Sequence, residues 1–111
     1  MKYDAKAKDR PLMPVELICR AEGLPMPEPE FYFARPRRWR LDWFWRQARG
    51  GVALEVEGGA WIYGRHTRPK GFLSDMDKYN RATAMGIRVF RCTPNSIHLG
   101  MQLVKEALHG Q

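Results

Sequence analysis

Cysteine is scarce in this chain. Cys19 and Cys92 are the only two, and neither forms a Cys-x-x-Cys pair or stands at ligand spacing from His66, His98 or His109. A disulfide scaffold and a zinc site are excluded as organising principles, and both thiols are expected to be buried groups of an intracellular protein. No apolar run approaches the length of a membrane span, and Met1-Lys2-Tyr3-Asp4 lacks the apolar stretch of a signal peptide, which predicts a cytoplasmic chain with no membrane partner. Low-complexity segments and internal repeats are absent too, which argues against disorder and against a repeat array. Acid is the minority charge: 12 Asp and Glu against 19 Lys and Arg give a formal charge of +7. That balance favours a polyanionic partner, since basic side chains that neutralise phosphates release counterions from nucleic acid. At 111 residues there is room for one core and not two.

What the chain does have is a strongly patterned stretch from Trp39 to Gly59. Trp39, Leu41, Trp43 and Trp45 recur on every second residue, as do Val52, Leu54 and Val56 after a short Arg/Gly-rich turn. The spacing predicts two strands of a hairpin, with Arg40, Asp42 and Phe44 on the other face of the first and Glu55 and Glu57 on the other face of the second. Carboxylates in such apolar strands are costly to bury unless a cation or hydrogen-bond donors compensate them.

Around this hairpin, residues 1–12 read as a flexible basic arm and residues 13–111 as the domain. Pro14 suits the first turn of a helix with Leu17, Ile18 and Ala21 inward, and Gly23 suits its left-handed end. Leu24-Pro25-Met26-Pro27-Glu28-Pro29 reads as a stiff connector, and Glu30 to Ala34 as a first strand. Residues 60–72 show no sustained period and read as a basic, aromatic loop. Ser74 is placed to cap a helix that ends at Gly86, with Met76, Tyr79 and Thr83 on its inner stripe. Ile87 to Cys92 reads as a strand able to return parallel to an earlier one, because a helix intervenes. Asn95 and Ser96 can cap a last helix carrying Ile97, Met101, Val104 and Leu108 on its core stripe. The expected class is α/β, with the order αβββαβα around one central mixed sheet.

Asp42 and Glu55 fall on neighbouring strands close to one turn, so they come side by side. Mg2+ or Mn2+ takes oxygen ligands, commonly one or two carboxylates with water and substrate phosphate, and this pair with the carbonyl of Val56 could supply them. The competing reading is an ordinary solvated sheet face in which Arg40, Arg88 or Arg91 neutralise the acids. His66, between Arg65 and Arg68, can bind phosphate or move a proton near neutrality, or simply lie exposed in a basic loop. Arg37, Arg38 and Arg40, with Arg35 beside them, and Arg65, Arg68 and Lys70 on the far side, are the candidate DNA-binding groups, since a guanidinium can donate two hydrogen bonds to one phosphate. Trp61 and Tyr63 offer flat faces for unpaired bases, or plug the edge of the core.

The blocks Arg37-Arg38-Trp39-Arg40-Leu41-Asp42-Trp43, Leu54-Glu55-Val56-Glu57-Gly58-Gly59, Gly64-Arg65-His66, Asp77-Lys78-Tyr79-Asn80 and Val89-Phe90-Arg91 together resemble the small phage and prophage endonucleases of the PD-(D/E)XK superfamily, relatives of Holliday-junction resolvases and very-short-patch repair endonucleases. The resemblance implies a restriction-endonuclease-like sandwich and a Mg2+-dependent DNA endonuclease, acting on recombination or repair intermediates in a bacterial host's cytoplasm, with a homodimer as one option. It implies that Asp42 and Glu55 are metal ligands and that Val56 supplies a backbone carbonyl. A glutamate of the first helix also belongs to the pattern, with Glu16 preferred over Glu22 and with Glu30 a further acid near the site. Glu57 departs from the pattern, standing where a lysine usually handles the attacking water. Either Lys78, from the following helix, or Glu57 itself would fill that role. The departure also leaves room for a nucleic-acid-binding module without catalysis, and an RNA nuclease is a third reading.

Overall fold

The computed structural model describes residues 10–58 and 69–110. In chain order the elements are α1 (Pro14–Glu22), β1 (Glu28–Tyr32), β2 (Arg40–Arg46), β3 (Gly51–Val56), α2 (Pro69–Ala84), β4 (Ile87–Cys92) and α3 (Ile97–His109), with a 3-10 turn at Pro94–Ser96 before α3. The four strands form one open sheet in the order β1-β2-β3-β4. The β1–β2 and β2–β3 pairs are antiparallel, and β4 lies parallel to β3. An α/β chain with one mixed sheet is therefore what this patterning folds into.

Alternation along β2 and β3 feeds two hydrophobic clusters. Trp43, Trp45, Val52 and Leu54 meet Val15 and Cys19 of α1 and Met101, Val104 and Ala107 of α3. Phe44 and Ala53 meet Ala82 of α2 and Ile87 of β4. Both cysteines are buried and free. The parallel strand sits tightly against the hairpin turn: Gly50 has φ +71, and a Cβ there would meet the Gly86 carbonyl oxygen at 2.1 Å. On the other side, a Cβ on Gly100 would meet Leu54 Cδ1 at 2.9 Å, so the missing side chain lets α3 approach the sheet.

Several expectations need correction. Trp39 and Leu41 do not share a face with Trp43 and Trp45, but pack in the second cluster with Phe33 and Phe44. The β1–β2 register pairs Pro29 with Trp43 and Phe31 with Leu41, and between them Glu30 takes φ +49. A left-handed residue inside an extended run turns the chain, and the alternation resets beyond it in both strands. β1 starts at Glu28 rather than Glu30; Pro29 is accommodated because β1 is an edge strand, where a missing N–H need not interrupt a ladder.

In α1 the buried apolar positions are Val15 and Cys19, while Leu17 is 51% exposed and Ala21 is exposed. The helix α2 begins at Pro69, so Pro69 to Phe72 belong to it and Ser74 lies inside it rather than capping it. Proline is well suited to such a first turn. Its sheet-facing stripe runs through Asp75, Lys78, Tyr79 and Ala82, whereas Met76 and Thr83 are exposed. The inner stripe of α3 matches expectation in Met101 and Val104, with Gly100 and Ala107 added and Ile97 and Leu108 partly buried. Ser96 Oγ accepts from the Thr93 N–H at 3.0 Å, so it closes the 3-10 turn rather than capping α3.

Candidate active site

The β2–β3 ladder runs from Arg46 opposite Gly51 to Trp43 opposite Leu54. At the next position, Asp42 opposite Glu55, side chains take over from the backbone. The Asp42 N–H donates to Glu55 Oε2 at 2.8 Å, and the Val56 N–H donates to Asp42 Oδ2 at 2.9 Å. Each carboxylate thus accepts a backbone donor from the strand opposite, which fixes both side chains at the place where the strands part.

The stripe of α2 lies across them. Lys78 Nζ donates to Glu55 Oε1 at 2.6 Å, and the Tyr79 hydroxyl donates to the same oxygen at 2.9 Å. The pair is well enclosed, with side-chain exposures of 13% for Lys78 and 8% for Glu55. Burial and the charge of Glu55 push the Tyr79 phenol far above its ordinary range, so it acts as a donor. Arg91, from β4, lies 4.6 Å over the Tyr79 ring and holds Glu57 through two hydrogen bonds, at 3.1 and 2.7 Å. Hydrogen bonding to Glu57 raises the Arg91 pKa, with the charge of Asp75 adding to it. Four elements, β2, β3, β4 and α2, therefore converge on one polar network.

Asp42 is raised from its ordinary value, first by burial and then by the charge of Glu55, against opposing contributions from the Val56 N–H, Arg40 and Lys78. Two close carboxylates in a half-buried place carry negative charge that their surroundings do not fully offset. Among the described residues no group of three or more His, Cys, Asp or Glu is arranged to hold a metal ion. Two carboxylates are nonetheless a donor set that a hard dication uses when water and phosphate complete its shell, and the raised pKa of Asp42 is the electrostatic condition such an ion relieves. Asp42 and Glu55 could thus offer an ion carboxylate oxygens, with Glu55 also held by Lys78, Tyr79 and the Asp42 N–H.

Glu16 does not join this network. Its oxygens accept from Arg10 at 2.7 and 2.8 Å and from the Met13 N–H at 2.9 Å. It closes the start of α1, and the bond from Arg10 holds its pKa below the usual carboxylate value. Glu30 pairs with Arg40 and Glu22 with Lys105. The ordinary-sheet alternative placed Arg40, Arg88 or Arg91 against Asp42 and Glu55. Arg40 does contribute charge at Asp42 while pairing with Glu30, whereas Arg88 donates to the Ala107 carbonyl and Arg91 is taken by Glu57.

Arg37 and Arg38 are exposed beside β2, and Arg37 lies 3.7 Å over the Trp39 ring. Arg65, His66 and Arg68, the side chain of Lys70, and Trp61 and Tyr63 lie outside the described residues. Two contributors were not anticipated as site residues. Tyr79 was read as core, and Arg91 only as a neutraliser of Asp42 or Glu55. The available signal was the polar run Asp75, Lys78, Tyr79 at helical spacing above the small Ala82, which no apolar stripe explains. No protein-family model, curated protein or solved structure matches the chain.

Proposed function

We propose that the chain is a Mg2+- or Mn2+-dependent DNA endonuclease of the PD-(D/E)XK type, with the αβββαβα sandwich of restriction endonucleases. The observation that carries this reading is the position of Lys78, its Nζ 2.6 Å from the buried Glu55, beside Asp42 where the sheet opens. The case for an inert nucleic-acid-binding module rested on Glu57 occupying the lysine position. A lysine delivered from α2 to Glu55 supports the enzymic reading over it.

In this reading Asp42 and Glu55, with the Val56 carbonyl, would hold the ion, which would supply polarisation of the phosphodiester and a lowered pKa for a water. Lys78 orients the attacking water and offsets charge gathering on the phosphate. Tyr79 keeps Glu55 in place. Arg91, paired with Glu57, braces the Tyr79 ring from β4, and Glu57 takes no direct part in the chemistry. Arg37, Arg38 and Arg40, together with Arg65, Arg68 and Lys70, grip the DNA backbone, with His66 near the scissile phosphate. The chain works among nucleic acids in the cytoplasm, as a homodimer where two strands or a junction are cut.

Labelled four-way junction, nicked, single-stranded and duplex DNA, with an RNA duplex alongside, incubated with Mg2+, test the reading. Cleavage of at least one DNA species by wild type is expected, with Asp42→Ala and Glu55→Ala inactive but still binding DNA. Equal products from all three proteins overturn the assignment, and cleavage of RNA alone replaces it with an RNA nuclease.

A further inference from the structure

A second feature lies beyond the carboxylates. A groove of about 390 Å3 opens between the β1–β2 connection and the C-terminal end of α2, lined by Phe33, Arg35, Arg37, Trp39, Arg81 and Met85 among others. Its volume falls in the range of pockets that take small ligands, about 300–1,000 Å3. Arg10, Arg40, Arg46, Arg91, Lys78 and Lys105 each meet a carboxylate. Among the described residues no acid pairs with Arg35, Arg37 or Arg81, so this groove gathers three guanidinium charges without a protein counterion.

Two of these arginines are held by rings. Arg37 lies 3.7 Å over Trp39, which stacks with Phe33 at 6.3 Å, and Arg35 lies 5.3 Å over Tyr32. A stacked guanidinium spends its face on the ring and leaves its edge donors for an anion such as phosphate. The remaining wall is apolar, made by the half-buried Trp39, backed by the buried Phe33, and by the exposed Met85. The ligand that satisfies both halves has an anionic end and a flat, weakly polar body.

We infer that this groove binds an unpaired nucleotide of the substrate, its phosphate on Arg35, Arg37 and Arg81 and its base against the apolar wall of Trp39 and Met85. A fully paired duplex would offer the phosphates and keep the bases stacked inside, leaving the wall unused. The groove lies a short way along the chain from the carboxylate site on both of its walls. Trp39 is three residues from Asp42, at most about 10 Å of extended chain, and Arg81 is three residues from Lys78 on the same helix, about 4.5 Å along its axis. An unpaired nucleotide held here therefore lies next to the strand presented to Asp42 and Glu55. The inference rests on the nuclease reading only in taking the ligand to be nucleic acid.

The test measures binding in EDTA, so that no cleavage intervenes, with a fluorescein-labelled duplex that is either blunt or carries a three-nucleotide single-stranded tail. Wild type is expected to bind the tailed duplex about tenfold more tightly, in keeping with one stacked base. In Arg37→Ala/Arg81→Ala, whose two sites are exposed, that preference should disappear while the blunt duplex weakens less. Equal binding of the two probes by wild type, or an equal loss on both in the variant, overturns the groove as a nucleotide site, and so does failure of both probes to bind at low salt. A tail preference without cleavage of any DNA in Mg2+ leaves the groove standing and removes the nuclease. Cleavage without a tail preference does the reverse.

Discussion

Replacing Lys78 by methionine removes one charge from an enclosed pair and keeps most of the stem's volume. Glu55, 6% exposed, is then left as a carboxylate without its cation. Breaking a buried pair in this way costs about 3–5 kcal/mol. The lower figure applies here, because the Asp42 N–H and the Tyr79 hydroxyl still donate to Glu55 at 2.8 and 2.9 Å. With a denaturant slope of about 1.5 kcal/mol/M for a domain of this size, a loss of about 3 kcal/mol lowers the urea midpoint by about 2 M. On the thermal scale that is a fall of roughly 15 °C, from a total of about 5–15 kcal/mol that still leaves the variant folded at room temperature. Glu55→Gln should cost a similar amount by stranding Lys78. The double variant Glu55→Gln/Lys78→Met should cost less than the sum, by a coupling of about 2 kcal/mol. Urea titrations of the four proteins at pH 7, followed by tryptophan fluorescence, read all of these. Single variants within 0.5 kcal/mol of wild type, with additive effects, would refute the enclosed pair and with it the reason for placing Lys78 at the centre of the site.

Three further substitutions, at two positions, read the electrostatics and the strain. Because Asp42 is raised in the folded protein, its ionisation opposes folding: its favourable contribution is complete below the unfolded value of about 3.9 and is lost as pH rises through the folded value. Asp42→Asn should therefore be more stable than wild type at pH 7, by about 0.5–2 kcal/mol, with the advantage shrinking towards zero as thermal melts are taken below pH 4; a constant advantage across pH contradicts this. Glu30 holds φ +49, a conformation that costs a residue with a side chain about 1–3 kcal/mol. Glu30→Gly relieves it and gives up only an exposed pair with Arg40, so it should match or exceed wild type in chemical denaturation. Glu30→Val should fall below it by about 1–2 kcal/mol, and the opposite ranking would remove the strain argument.

The strands were legible because bulky apolar residues recur on every second position of β2 and β3, and that period also set Asp42 and Glu55 side by side on neighbouring strands. The kink at Glu30 was not legible. Nothing local marks a glutamate for a left-handed conformation, and the face assignment of Trp39 and Leu41 failed with it. The start of α2 was hidden by a composition of Pro, Gly and basic residues that reads as loop, although proline also opens helices. Its inner stripe misled for a different reason: Lys78 and Tyr79 turn to the sheet to meet Glu55 there and Asp75 faces the charge of Arg91, and an apolar template chooses Met76 and Thr83 over Asp75 and Lys78. The partners of the acids were beyond sequence reading as well. Arg91 meets Glu57 across 34 positions, and Arg10 takes the very glutamate expected at the metal.

In the proposed function Asp42, Glu55 and Lys78 form a hydrolytic centre in which Glu57 takes no direct part. Single-turnover cleavage of the preferred DNA in saturating Mg2+, by wild type, Lys78→Met and Glu57→Gln each shown folded by circular dichroism, tests it most directly. Loss of at least about 100-fold in rate is expected for Lys78→Met, the range for groups that handle the attacking water, with Glu57→Gln within about tenfold of wild type. Full activity in Lys78→Met, or a loss confined to Glu57→Gln, would contradict it.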